Sequence, residues 1–424
     1  MTIQNHSQQS EVSITIGQPL LEDALSDLAE KKEIRGDSLL CHVLFNAVNY
    51  MLGGVILSAP YVLARAGVYG FLLFFVFCFG TWTTACTLNR IFKENPKLHT
   101  YGDIAREAYG PITERILSVT QFLELFGYSA SCIVTAALLL EDYVTPEYNS
   151  RSLIMTVCLV VVLPTTWCKT LRPVAALSSA GIFVFFGSVC FLIKGAWMPL
   201  SSDQAYSFSH AASIDYKQDW RDVMSSVGLV LAVFSTHAVI PELRTSMRHK
   251  EKFGTVVHGT YITCTCVWLV TAIMGYFFMF GLESPSFLIT ELGPPGTLTR
   301  VVVHIAYMIN LYAKFPLCLV PISKITEQKM GLDAQDSIFR VILVRTGWSI
   351  LALLVSILIH DFATIISLIG TLFCTLLCGV FPSLFALRLL SDLTKYERYF
   401  YIFYIIISIV LGVLNLLCMF WVGA

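Results

Sequence analysis

Residues Asn46-Ala-Val-Asn-Tyr-Met-Leu-Gly-Gly-Val-Ile-Leu-Ser-Ala-Pro60 lie inside the first strongly apolar region of the chain, yet they carry two asparagines, paired glycines and a proline. Such residues suit the middle of a membrane helix poorly, because glycine costs backbone entropy and proline removes an amide donor. Irregular backbone at membrane depth persists only where it is buried in protein or lines a cavity. The stretch therefore reads as a helix opened at Gly53-Gly54 and restarted at Pro60, with its freed amides and carbonyls available as ligands. The alternative is that the glycines merely let helices pack closely. A later segment, Ser225-Ser-Val-Gly-Leu-Val-Leu-Ala-Val-Phe-Ser-Thr-His-Ala-Val-Ile-Pro-Glu-Leu-Arg244, repeats the design, with a polar break at Ser235-Thr236-His237 followed by Pro241.

Around these breaks the chain is apolar throughout. Of 424 residues, 56% are hydrophobic and 13% charged, against about 25% charged in a soluble domain. Mean hydropathy is +0.70. This is the composition of an all-α polytopic membrane protein. A net charge of −1 with no basic stripe excludes a nucleic-acid partner. Most of the 13 cysteines sit in apolar runs as small hydrophobes, without metal spacing or a disulfide framework. Residues 1–38 are polar and lack the apolar core of a signal peptide, so they read as a disordered cytosolic tail. Within it, Gln18-Pro-Leu-Leu21 reads either as a dileucine-type sorting signal or as a chance leucine pair.

A crossing helix needs about 20 apolar residues. Eleven windows qualify: 41–64, 68–90, 115–139, 152–168, 174–196, 222–246, 255–281, 298–323, 338–359, 362–389 and 398–422. With the N-terminus in the cytosol, 21 lysines and arginines fall on the cytosolic side and 6 on the other, leaving Lys314 deep inside the eighth window. That asymmetry sets the N-terminus cytosolic and the C-terminus lumenal. Between windows two and three, Thr100 and Asp103 have capping-box spacing, which predicts a short structural helix on the cytosolic interface.

The two breaks lie five spans apart. Five is odd, so a second unit of five spans enters the membrane inverted, and interrupted spans at matching positions are the sign of an inverted-repeat transporter. Repeat one covers about 41–196 and repeat two about 222–389, with an additional eleventh helix at about 398–422; residues 39–424 form one transmembrane domain. Positive half-helix ends hold a carboxylate and freed carbonyls an ammonium, so a zwitterion, an α- or ω-amino acid, fits the site. Asn49, Gly53, Gly54, Tyr128, Ser235 and Thr236 are the candidate substrate residues.

A charge at mid-bilayer costs about 2.5–3.5 kcal/mol on insertion scales, so each needs a reason. Glu124 forms a helical stripe with Tyr128, Ser131 and Thr135. It reads as a contact for the substrate amine or a proton carrier, or else as a protonated carboxyl bonded to a neighbouring helix. Lys314 shares a face with Asn310 and Tyr307. It reads as a cation of the site, or as a fixed ion pair with Glu124 or a carbonyl. His237, in the second break, reads as a pH sensor or a satisfied polar histidine. Glu242 is a gate residue or a solvated charge. The stripe Ser367, Thr371, Cys374 and Cys378 reads as a packing face, and Trp82, Tyr396 and Tyr399 as interfacial aromatics. Gly293-Pro-Pro-Gly296 is a turn.

Several stretches resemble the amino acid/auxin permease family, nearest to its branch of vacuolar amino-acid transporters and vesicular GABA/glycine transporters. They are Glu94-Asn-Pro-Lys-Leu-His-Thr-Tyr-Gly-Asp-Ile104, Leu123-Glu-Leu-Phe-Gly127, Val162-Leu-Pro-Thr-Thr-Trp167, Ser178-Ser-Ala-Gly181, Phe234-Ser-Thr-His-Ala238, Pro241, Ser246-Met247, Ala313-Lys-Phe-Pro-Leu317 and Phe381-Pro-Ser-Leu-Phe-Ala-Leu-Arg-Leu-Leu390. The resemblance implies eleven spans, two inverted five-span repeats, and amino-acid transport coupled to protons with no other cofactor. It also implies substrate at the breaks of spans one and six with help from spans three and eight, hence Gly53, Gly54, Ser235, Thr236, His237, Glu124 and Lys314. The Lys314 ammonium would then occupy the place, between spans one and eight, where related folds bind sodium. The vesicular branch admits chloride as a further ion. Thr236 stands where the pattern leads one to expect glycine, which narrows the pocket and leaves substrate choice open, and Glu242 after Pro241 also departs from the pattern.

The leading expectation is a sodium-independent secondary transporter of neutral amino acids, proton-coupled, in a vacuolar, lysosomal or vesicle membrane rather than the plasma membrane. The other class is an amino-acid sensor of the same fold that signals to a cytosolic partner. No serine–histidine–carboxylate set or phosphate loop supports an enzyme. The sequence assigns no oligomeric state.

Overall fold

The computed structural model describes residues 38–52, 54–144, 150–167, 219–292, 296–330 and 338–422, with Gly187 and Cys190. Gly53, the tail with Gln18–Leu21, the fifth apolar window apart from Gly187 and Cys190, Ser178–Gly181 and residues 293–295 lie outside the described residues.

The described residues form helices with no sheet. The principal ones in chain order are α1 (Leu40–Met51), a 3₁₀ turn (Gly54–Ser58), α2 (Ala59–Ala66), α3 (Val68–Glu94), α4 (Tyr101–Tyr109), α5 (Pro111–Leu140), α6 (Arg151–Thr166), α7 (Trp220–Val233), α8 (Ile240–Ser246), α9 (Phe253–Gly275), α10 (Leu298–Lys329), α11 (Ile338–Leu358), α12 (Phe362–Ile369), a π-helical stretch (Gly370–Val380), α13 (Phe381–Leu389) and α14 (Lys395–Val422), with shorter 3₁₀ and π turns between some of them. Among the described residues, seven helical segments are long and apolar enough to cross a membrane, and an eighth is the pair Leu40–Met51 and Gly54–Ala66, bent by 46°. The apolar α6 is shorter, at 16 residues. The sixth window is two helices, α7 of 14 residues and α8 of 7.

The periphery is apolar and exposed, as a lipid-facing surface is. Ile402, Phe403, Ile406, Val410, Val413 and Leu417 line the outside of α14. Cys266 points outward while Cys264, two residues earlier, is fully buried. The interior is aromatic where the site is built. Phe74 of α3 stacks on Trp268 of α9 at 3.8 Å, and Phe234, the residue after α7, packs on Phe74 and Tyr261. These large rings fix the start of the sixth-span break against two continuous helices.

Two polar devices hold the ends. Thr100 and Asp103 form the capping box of α4, each side chain accepting from the other's backbone amide, and Tyr101 donates to the Leu377 carbonyl at 2.7 Å. Partial burial opposes charge on Asp103, but the amides of His99 and Thr100 and the Thr100 hydroxyl hold its carboxyl below the usual range. Arg345 of α11 is 3% exposed. It donates to Glu327 of α10 at 2.8 Å and to the Thr166 carbonyl at the end of α6 at 2.8 Å. Arg345 is therefore an internal tie between three helices.

Candidate functional site

The first break begins where α1 ends. Leu52 closes its last turn on Val48 at 2.7 Å, and the chain restarts as the 3₁₀ turn from Gly54. Pro60 lies in the first turn of α2, where its missing amide would have had no partner. The Leu52 carbonyl receives the Lys314 ammonium at 3.4 Å. Tyr307 and Asn310, on the same helix α10, are buried. A Cβ on Gly54 would sit 2.6 Å from the Tyr307 hydroxyl oxygen, so only glycine lets the broken backbone approach α10 this closely. Asn49 is half-buried, two residues before the end of α1.

The second break spans Phe234 to Val239. Phe234 and Ser235 still reach back to Leu231 and Ala232, and the Thr236 amide then turns onto Phe234 O at 2.8 Å. Here Ser235 donates its hydroxyl to Glu124 Oε1. Glu124 of α5 is fully buried. The Cys374 thiol also donates to Oε1, at 3.5 Å, and Oε2 makes no hydrogen bond. Tyr128, one turn on, donates to the Ala232 carbonyl at 3.3 Å. Of the expected stripe, Ser131 and Thr135 turn their hydroxyls back onto carbonyls of their own helix. Glu124 and Lys314 thus serve different breaks: the lysine meets a carbonyl of span one, the carboxylate a hydroxyl of span six.

His237 is fully buried, its Nε2 2.9 Å from the Thr84 hydroxyl of α3, and its Nδ1 makes no hydrogen bond. Thr236 is buried beside it, whereas Glu242 is exposed. Trp82 donates to His258 at 3.0 Å, and Tyr396 and Tyr399 are exposed.

Two contributions were not legible in the sequence. The stripe on span ten, expected to be a packing face, divides: Ser367 and Thr371 bond Asn415 of α14, while Cys374 and Cys378 face the second break. Tyr50, in the last turn of α1, has a buried hydroxyl without a hydrogen bond, within electrostatic reach of Glu124, Cys318, Cys374 and Cys378. Its position beside Asn49 and the glycine pair was the one available signal. Gly228 of α7 lies so close to span ten that a Cβ there would stand 2.2 Å from the Ser367 carbonyl, which brings the π stretch up to the break. Among the described residues no group of three His, Cys, Asp or Glu side chains could hold a metal ion.

The arrangement offers carbonyls, hydroxyls, an ammonium and a carboxylate at two facing breaks in a low-dielectric interior, which is equipment for binding a small charged molecule. Residues 38–424 match the family described as "Transmembrane amino acid transporter protein". The chain belongs to this family. As a transmembrane amino acid transporter it is a multi-pass membrane protein and not an enzyme, and its cargo is a small amino-acid molecule. It is 27% identical over 406 residues to amino acid transporter AVT1E of Arabidopsis thaliana, covering 91% of this chain and 73% of that protein. The transporter's fold is similar to that of MhsT in complex with L-phenylalanine, with a TM-score of 0.60, 12% identity, and 91% of this chain and 99% of that one covered. It is also similar to a Na⁺-coupled sialic acid symporter in a substrate-bound outward-open state, with a TM-score of 0.59, 11% identity, and 91% and 90% covered.

Proposed function

We propose that this transporter moves neutral amino acids, or GABA- and glycine-like ones, across the membrane of an acidic organelle by alternating access. Protons drive it and sodium does not. Eleven spans form two inverted five-span repeats plus a final helix, and substrate binds between the breaks of spans one and six. The tail before residue 39 and the N-terminus are cytosolic, and the C-terminus is lumenal in a vacuolar, lysosomal or vesicle membrane.

The observation that carries this reading is the Glu124 carboxylate. One oxygen is held by Ser235 at the sixth-span break and by Cys374, and the other is buried without a hydrogen bond. A proton on that second oxygen neutralises a buried charge, and its loss leaves a carboxylate able to hold a substrate ammonium. Proton and substrate amine then compete for one group, which is the requirement of exchange. Ser235, Thr236, Tyr128, Asn49, Gly53 and Gly54 contact substrate; Glu124, His237 and Lys314 couple it to protons. The Lys314 ammonium on the Leu52 carbonyl supports sodium independence, because it places a fixed cation on a carbonyl that the break frees for a cation.

The test is uptake of a panel of radiolabelled amino acids into proteoliposomes under an inside-acid gradient, with and without sodium. Gradient-driven uptake of a neutral amino acid that ignores sodium is the expected result, with Glu124→Gln abolishing the gradient response and weakening the amino-acid affinity read from exchange at zero gradient. Sodium-driven uptake, or a full gradient response in Glu124→Gln, overturns the reading.

A further inference from the structure

The segment that follows α9 folds back into the bundle. Phe287, Leu288, Ile289 and Leu292 are each at most 1% exposed. The Phe287 ring packs on Tyr307 and Phe362, and it would lie 3.3 Å from a Cβ on Gly54. Residues 284–292 therefore cover the first break from the end of the bundle where α2 ends and α10 begins.

One side chain ties this cover down. His304, in the second turn of α10, is 2% exposed. Its Nε2 lies 3.0 Å from the Ile289 carbonyl of the cover. Its Nδ1 lies 3.2 Å from the Leu139 carbonyl at the end of α5 and 3.1 Å from the Tyr143 hydroxyl. Carbonyls only accept. A neutral imidazole has one N–H and can serve one of them; an imidazolium serves both. The Tyr143 hydroxyl suits either state, because it donates to a bare Nδ1 and accepts from a protonated one. Among the described residues, the charged groups near the ring are Arg300 on its own helix, Asp142 beside Tyr143, and Glu291 on the cover. Arg300 pairs with Asp142 at 2.5 Å and approaches Glu291 at 3.9 Å. Burial and Arg300 oppose charge on the ring, Asp142 favours it, and the Ile289 and Leu139 carbonyls are both served only when the ring carries the second proton. Glu141, next in line, is engaged by Arg151.

We propose that His304 is a proton-binding site, separate from Glu124, His237 and Lys314, and that proton binding there clamps the 284–292 cover shut by joining Ile289 to Leu139. This deepens the proton-coupled reading by giving the proton a second place of action. The experiment follows the cover and not flux, so a transporter coupled through Glu124 alone would leave the signal flat while still responding to the gradient.

The test labels a cysteine on the buried side of the cover, Leu288→Cys, with a maleimide in the purified full-length protein between pH 5 and 8. Rates are corrected for labelling of the parent protein and divided by those of an exposed control, Glu283→Cys, which removes the intrinsic pH dependence of thiol reactivity. The expected ratio is low in acid and rises by about tenfold or more toward alkaline pH, the scale of one hydrogen bond to a charged donor. His304→Gln, whose amide has one donating nitrogen and one accepting oxygen and does not titrate, flattens that profile. Tyr143→Phe, which removes the donor serving the neutral ring, moves the midpoint to higher pH. A ratio independent of pH in the His304 protein, a pH-dependent ratio surviving in His304→Gln, or an unmoved midpoint in Tyr143→Phe each overturns the proposal.

Discussion

Gly54→Ala tests whether the first break works because backbone comes close to α10. The new methyl would stand 2.6 Å from the Tyr307 hydroxyl oxygen and 3.3 Å from the Phe287 ring. Both rings are 1% exposed, so neither can swing into open space. Overpacking of this kind costs about 1–3 kcal/mol, which corresponds to about a 5- to 150-fold loss of the packed arrangement. The clash has a specific remedy. With Tyr307→Phe the hydroxyl is gone, and the next atom of that ring, Cζ, lies 3.8 Å from the methyl, an ordinary contact. Initial uptake rates in proteoliposomes, measured for both single variants and the double, form a double-mutant cycle. The double variant should recover most of what Gly54→Ala loses. Wild-type uptake by Gly54→Ala, or a double variant no better than it, would refute the close-approach argument.

Other consequences follow from single contacts. Lys314→Ala should abolish sodium-independent uptake, and a response to added sodium in that variant would mark the Leu52 carbonyl as a vacated cation site; unchanged uptake counts against the role. Arg345→Ala leaves Glu327 buried without its guanidinium partner and should lower stability by about 3–5 kcal/mol, read as a lowered melting temperature in detergent, with Arg345→Leu combined with Glu327→Leu recovering much of it. Asp103 is held below the usual carboxylate range, so its cap contributes fully at neutral pH and fades as acid drives the pH down through the folded value. Asp103→Ala should cost about 1 kcal/mol at neutral pH and progressively less in acid, measured as the difference in melting temperature between the two proteins.

The sequence conveyed the plan better than its contacts. Glycine pairs, prolines and polar breaks are local signals, so the interruptions near residue 53 and at 235–237 were legible, as was the Thr100–Asp103 cap. The encounter of Glu124 with Ser235 is 111 residues distant in sequence, and no periodicity encodes which helix a buried carboxylate will meet. Cys374 and Cys378 resembled packing residues because small, weakly polar side chains serve in both roles. The tie of Arg345 to Glu327 was not legible, because side-chain identity alone does not distinguish a cation at the interface from one folded inward.

The eleven residues of Gly370–Val380 run in the wide π form. A π turn closes with one residue more than an α turn, so a helix in this form can take up an extra residue without breaking. Cys374 and Cys378 ride on this stretch, facing the second break. Gaining or losing one residue here would rotate those thiols around Glu124, while α12 and α13 on either side keep their register against the bundle. A change of one residue in length here would therefore alter the surroundings of Glu124 without a substitution in the filled interior on either side.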